Sequence, residues 1–137
     1  LTYGDGVSDI NIANEISQHE ASGAAITMMA YQPSGKFGSI NIDSKTNMIT
    51  SFQEKPEGDD GHWVNAGFFV CEPEVFNYIP EGGDSVIFEK KPLELLAKDG
   101  KMSSYKHTGF WSPMDTMKDN NDLNKLWNED RAPWKVW

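Results

Sequence analysis

The sequence is poor in cysteine, in histidine and in positive charge. Cys71 is its single cysteine, which excludes an internal disulfide and fits a reducing, cytoplasmic setting. Its three histidines, His19, His62 and His107, fall at no spacing that a metal site would use. Only 12 Lys and Arg stand against 21 Asp and Glu, a formal net charge of −9. So acidic a chain argues against nucleic acid as a partner, because such a binder neutralises phosphates with a basic face. No apolar run approaches the roughly 20 residues of a membrane-spanning helix, and no signal peptide is visible, so no membrane is expected. Internal repeats, low-complexity tracts and any Ser/His/Asp or Cys/His pattern for nucleophilic catalysis are missing too.

What is present suits one globular domain, residues 1–137. Hydrophobic residues make up 38% and aromatic residues 12% of the 137 positions, enough for a packed core. The opening residues Leu1 to Tyr3 read as the end of a strand, and the chain does not begin with methionine, so it reads as a piece of something longer. Asp9 or Asn11 can cap a helix whose Ile12, Ala13 and Ile16 share a side, and Gly23 closes it. Ala25 to Tyr31 is a compact apolar run, a buried strand. The pair reads as strand, helix, strand of a parallel sheet.

Two alternating runs, Gly38 to Ile42 and Met48 to Phe52, flank the polar turn Asp43 to Asn47 and predict a hairpin. An acidic loop follows, Glu57 to Gly61, expected to be mobile. His62 to Cys71 reads as a strand that places Cys71 in the core. Pro73 opens a helix with Val75, Phe76 and Ile79 at helical spacing. After Gly82 and Gly83, Asp84 or Ser85 can cap a further helix in which Pro92 forces a kink or restart; Leu93, Leu96 and Ala97 form its core stripe and Gly100 ends it. Met102 to His107 predicts a short edge strand. A last helix carries Leu123, Leu126 and Trp127 on one face, with a capping box from Thr116 to Asp119. The aromatic tail, Ala132 to Trp137, is expected to pack on something.

Three short stretches and two single carboxylates could carry chemistry. In Gly4-Asp5-Gly6 a carboxylate sits between two glycines at a strand end. It is either a turn residue or a ligand for a hard cation close to a bulky substrate. Glu54-Lys55-Pro56 leaves a strand with a stiffened exit, so Lys55 is either solvated or a point charge for a phosphate. Asn65-Ala66-Gly67 interrupts an apolar strand. The amide needs a partner, supplied by a sugar hydroxyl or by the backbone of a β-bulge. Asp115 is either a helix cap or a second carboxylate for the same cation as Asp5, and Glu89 is either solvated or an acceptor for sugar hydroxyls.

Taken in order, Tyr3-Gly4-Asp5-Gly6, Phe52-Gln53-Glu54-Lys55-Pro56, Asn65-Ala66-Gly67-Phe68-Phe69 and Gly109-Phe110-Trp111-Ser112-Pro113-Met114-Asp115-Thr116 resemble the sugar-1-phosphate nucleotidyltransferases. Within them they are most similar to the cytidylyltransferases of glucose 1-phosphate, and the closing Ala132 to Trp137 resembles their C-terminus. The resemblance runs the length of the chain. It implies an α/β, partial Rossmann-like nucleotidyltransferase fold, a mixed sheet with flanking helices, in which CTP and glucose 1-phosphate give CDP-glucose and pyrophosphate. By resemblance, Asp5 and Asp115 hold Mg²⁺, Lys55 binds the sugar phosphate, and Gly4, Glu54, Asn65, Gly67 and Glu89 contact substrate. The family's Gly-Gly-x-Gly-Thr-Arg loop, which cradles the triphosphate, has no counterpart. The resemblance therefore implies the C-terminal half of such a domain, lacking the N-terminal nucleotide-binding βα units and inactive alone. Its partners would be a sugar 1-phosphate and a nucleotide, with homo-oligomers covering the exposed sheet edge. The alternatives are a non-catalytic sugar-phosphate-binding module and a self-associating truncated relative.

Overall fold

The computed structural model describes residues 1–33, 39–53, 63–81 and 85–137. Its centre is β2 (Ile26–Tyr31), held between β5 (Val64–Cys71) and β6 (Met102–His107). β2 runs parallel to β6, with Ile26 opposite Met102 and Tyr31 opposite His107. It runs antiparallel to β5, with Ile26 opposite Cys71 and Tyr31 opposite Val64. The sheet is therefore mixed, with β6 at an edge among the described residues, as expected for Met102 to His107.

The expected strand–helix–strand unit is corrected in one respect. Leu1 to Tyr3 does not neighbour β2; it lies along the far side of β5. Leu1 and Phe69 exchange backbone hydrogen bonds of 2.8 and 2.9 Å, and the Tyr3 N–H donates to Gly67 O at 2.8 Å. β5 thus comes between two segments that run in the same direction. A short ribbon, β1 (Gly6–Ser8) with β7 (Trp111–Pro113), stands beside this sheet, antiparallel with Gly6 opposite Pro113. The Trp111 indole N–H donates to Ala66 O at 2.8 Å and fastens the ribbon to β5.

Alternation along β2 divides the core between two faces. On one, Ile26 and Phe69 pack with Val75 of a 3-10 helix (Pro73–Tyr78) and with Leu93 and Leu96 of α2 (Lys91–Lys98). On the other, Met29 packs with Ile10 and Ala66. Pro92 lies in the first turn of α2, where its missing N–H costs nothing, so it starts the helix rather than kinking it. Ala97 is exposed and does not belong to the core stripe. Gly100 follows the helix with φ +67°, as expected of a helix end.

α1 (Ile12–Ser22) is capped by Asn11, whose side-chain oxygen accepts from the Asn14 N–H, and ends at Gly23 with φ +64°. Its buried face is not the expected one. Ile12 and Ile16 are 53% and 41% exposed, while Glu15 and His19 are 2% and 3% exposed. The helix is rotated because His19 has partners below it: Thr27 Oγ1 lies 2.9 Å from Nδ1 and Glu72 Oε1 lies 3.2 Å from Nε2. Glu15 has no comparable partner among the described residues. Its buried Oε1 lacks any hydrogen bond, and burial raises its carboxyl above the usual range.

The hairpin forms as predicted from β3 (Ser39–Ile42) and β4 (Ile49–Gln53). Asp43 organises the turn by accepting the Lys45 and Thr46 N–H groups at 2.8 Å each. The backbone donor of Thr46 first, then that of Lys45, holds its carboxyl below the usual value. Asn47 adopts φ 56°, which asparagine tolerates.

α3 (Met117–Asn128) carries the complete Thr116–Asp119 capping box and buries Leu123, whereas Trp127 is 44% exposed. The tail packs in part. Trp134 stacks on Phe110 at 5.4 Å and Ala132 is buried, but Trp137 stays 81% exposed. Three further expectations change. Phe76 and Ile79 are exposed because the Pro73 segment is a 3-10 helix that buries only Val75. Cys71 is exposed because it ends β5 rather than lying mid-strand. Ser85 does not cap α2, which starts at Lys91 with Lys90 at its N-cap, and the Glu57–Gly61 loop, His62, Gly82, Gly83 and Asp84 lie outside the described residues. No helix among the described residues is long and apolar enough to cross a membrane.

Candidate functional site

Between Met28 and Ala30 of β2 the ladder to β5 slips. Met28 faces Phe69 and Ala30 faces Asn65, so β5 carries extra residues around Gly67. This is a bulge, one of the two readings that Asn65-Ala66-Gly67 allows. The Asn65 side-chain oxygen closes it by accepting the Gly67 N–H at 2.8 Å. Gly67 has φ +77°, and a Cβ there would stand 2.7 Å from Tyr3 Cδ2. Glycine is required for both reasons: the backbone is left-handed, and the Tyr3 ring lies on the space a side chain would fill.

Tyr3 is the residue that sequence reasoning missed as a functional group, although it opens the Tyr-Gly-Asp-Gly motif. No local signal marks it, because the amide that gives this part-buried phenol a hydrogen-bonding partner comes from the distant β5. The Asn65 amide donates to Tyr3 Oη at 3.3 Å. Burial first, then the neighbouring Glu89 carboxylate, pushes the Tyr3 phenol up to about 12, while the Tyr3 hydroxyl holds Glu89 below the usual carboxylate range. Asn65, Gly67 and Glu89, three of the residues singled out for substrate contact, therefore meet around one phenol.

After Tyr3 the chain turns through Gly4 and Asp5 into β1. Neither Gly4 nor Gly6 has the left-handed backbone expected of a glycine-dependent turn. A Cβ on Gly4 would meet nothing within 4 Å, so open space adjoins Asp5. The Asp5 carbonyl accepts the Met114 N–H at 2.7 Å, one residue before Asp115. The backbone thus carries both aspartates to one end of the β1–β7 ribbon, and both are exposed. Asp115 does not cap α3; Thr116 does. Carboxylate oxygens suit a hard cation. Among the described residues, no group of three or more His, Cys, Asp or Glu is placed to hold a metal. Lys55 and Glu54 lie outside the described residues.

A second cluster resembles a nucleophilic site and is not one. Ser8 Oγ and Asp9 Oδ1 lie 3.3 and 2.9 Å from the same ring nitrogen of His107, Nε2. A base that activates a serine meets its carboxylate through the other nitrogen. The Ser8 hydroxyl donates to Phe110 O at 2.9 Å, and the Phe110 N–H donates to Asp9 Oδ1 at 2.8 Å. The cluster is a clamp that anchors β1 to the turn before β7.

With this geometry in place, comparison with known proteins is informative. A family model described as Nucleotidyl transferase matches residues 2–128. The glucose-1-phosphate cytidylyltransferase of Salmonella typhimurium is 44% identical over 137 residues, which cover 100% of this chain and 51% of that protein. A crystal structure of a "Putative Glucose-1-Phosphate Thymidylyltransferase" from Bacillus anthracis, in complex with a sucrose, superposes with TM-score 0.58 at 18% identity, over 90% of this chain and 51% of that one. HddC from Yersinia pseudotuberculosis gives TM-score 0.56 at 15% identity, over 90% and 52%. The likeness to these structures bears out the Rossmann-like fold.

The chain spans about half the length of the curated relative it matches. The assignment to a C-terminal half is withdrawn: the matches establish a share of the relative's length, not a C-terminal position.

Proposed function

The chain belongs to the nucleotidyl transferase family, and on that premise we propose that it carries the sugar-phosphate-binding part of an enzyme that joins CTP and glucose 1-phosphate into CDP-glucose and pyrophosphate. The observation that carries this reading is the meeting of Asn65, Gly67 and Glu89 around Tyr3, beside the end of the ribbon that brings Asp5 and Asp115 together. Glu89 and Asn65 offer an acceptor and a donor to sugar hydroxyls. Gly4 and Gly67 keep side chains out of the approach to the backbone. Glu54 adds a further acceptor, and Lys55 a point charge for the sugar phosphate.

Asp5 and Asp115 are the pair that would hold Mg²⁺, for which two exposed carboxylates are a fitting donor set. Bound there, the ion would neutralise charge on the phosphates. The residues themselves act by positioning: they hold the sugar phosphate for in-line attack on the α-phosphorus, with no covalent enzyme intermediate.

The 137 residues contain no Gly-Gly-x-Gly-Thr-Arg loop, so the chain alone binds sugar phosphate without turnover. Calorimetry with glucose 1-phosphate and Mg²⁺ tests the binding; no heat at millimolar ligand would overturn it. Pyrophosphate release on adding CTP would overturn the inactivity. Self-association belongs to the same proposal, through the outer side of Leu1 to Tyr3, where Leu1 is 65% exposed, or through Trp137. A monomer in light scattering at high concentration would sink it.

A further inference from the structure

A cavity of about 400 Å³ opens between α3 and the β1–β7 ribbon, within the size range of small-molecule sites. It shares no residue with the Tyr3 cluster. One wall is a stripe of α3 at helical spacing, Asn120, Asn124 and Trp127. The others come from Val7 of β1, Met114 beyond β7 and Trp134 of the tail. Trp134 stacks on Phe110 with ring centroids 5.4 Å apart, and Lys135 Nζ lies 5.2 Å from the Trp127 ring centre, so both indoles are held in place. The two amides are fixed in direction. The Asn124 amide nitrogen donates to Asn120 O at 2.9 Å and to Asn120 Oδ1 at 3.0 Å. A backbone carbonyl only accepts, so nitrogen must be the Asn124 atom that faces it. Asn120 directs its own amide nitrogen to Met114 Sδ at 3.1 Å, a weak acceptor. The pair therefore ends in two available groups. One is an Asn124 oxygen that accepts no hydrogen bond among the described residues; the other is an Asn120 NH₂ spent only on sulfur.

We propose that this cavity binds the ring of an uncharged sugar, with the indoles against its C–H face and Asn120 and Asn124 on two of its hydroxyls. The available donor and acceptor stand at opposite ends of the bonded amide pair. They suit two separate hydroxyls, each able to donate and accept, rather than the adjacent donor and acceptor on one edge of a base. Charge points the same way. Asp5 lies two residues before Val7, Asp115 directly follows Met114, and both carboxylates are exposed, so an anion is repelled. Lys135 does not offset them, because it already pairs with Asp130 at 3.4 Å. The site stands independently of the sugar-phosphate reading above.

Methyl α-D-glucopyranoside, which carries no phosphate, is the probe. Titrated into the ¹⁵N-labelled chain, it should move the indole N–H signals of Trp127 and Trp134 and the side-chain amide signals of Asn120 and Asn124. A single sugar ring in so open a site should saturate with a Kd of about 1–10 mM. Asn124→Ala removes the open acceptor, and alanine at this exposed helical position favours the helix, so the fold is kept. N124A should bind the glucoside about five- to tenfold more weakly. Still signals at about 100 mM glucoside, ten times the weakest Kd expected, overturn the proposal. Movement confined to the Asn65 side chain overturns it too, as does equal affinity in N124A. A larger response of the two indoles to cytidine than to the glucoside also overturns it, since the occupant would then be a base.

Discussion

Replacing Gly67 by alanine should be among the costlier single-methyl additions to this chain. Two penalties combine there. A non-glycine residue held at φ +77° costs about 1–2 kcal/mol, because Cβ crowds the neighbouring carbonyl. The added Cβ would also stand 2.7, 3.0 and 3.1 Å from Tyr3 Cδ2, Cγ and Cβ. Tyr3 cannot swing aside freely, since its own backbone N–H is bonded to Gly67 O at 2.8 Å and its ring packs on Phe69. Displacing a packed side chain in this way costs about 1–3 kcal/mol. The sum for G67A is roughly 2–5 kcal/mol.

Gly23 and Gly100 supply the control. Both have left-handed backbones, φ +64° and +67°, yet a Cβ on either meets nothing within 4 Å. G23A and G100A should therefore cost only the backbone part, about 1–2 kcal/mol. Urea unfolding of the three variants measures the difference directly. If G67A lies within about 0.5 kcal/mol of G23A, the Tyr3 contact carries no energy and the reasoning fails.

Thr116→Ala should lose about 1 kcal/mol by removing the acceptor for the Asp119 N–H, seen as a lower urea midpoint with unchanged slope. Asp9→Ala leaves the Phe110 N–H without its 2.8 Å partner and should cost about 1–3 kcal/mol in the same assay. Glu15 gives a pH dependence: its carboxyl is raised in the fold, so the stability it allows is complete below the ordinary carboxylate value and is lost as pH rises through the raised value. Glu15→Gln should remove that loss. The variant should be the more stable protein at neutral pH and lose its advantage in acid, and equal midpoints at neutral pH would refute the assignment.

What the sequence revealed was mainly what neighbours in sequence decide. Asn11, Gly23, Gly100, the Thr116–Asp119 box and the Asp43 turn all act within a few residues, and each stands as read. Errors arose where a distant partner decides. Ile12 and Ile16 looked like the buried stripe of α1, but Thr27 and Glu72 draw His19 inward and turn the helix toward a polar face. Leu1 to Tyr3 looked like the neighbour of β2, and no local signal announces that β5 comes between. The candidate site was legible as a set of residue types, and Asn65, Gly67 and Glu89 do converge. Tyr3 at their centre was not, because the geometry that makes it matter is a bulge across the sheet.

The bond from the Met114 amide to the Asp5 carbonyl joins opposite ends of the chain. Loop-closure entropy opposes so distant a contact until the intervening sheet has condensed. The two aspartates therefore come together late in folding, after β2, β5 and β6 have assembled. The same contact gives up little of the sheet when it opens. Cooperative opening of the ribbon would part the aspartates while leaving the Tyr3 cluster intact, so the two groupings can have different lifetimes in one folded molecule.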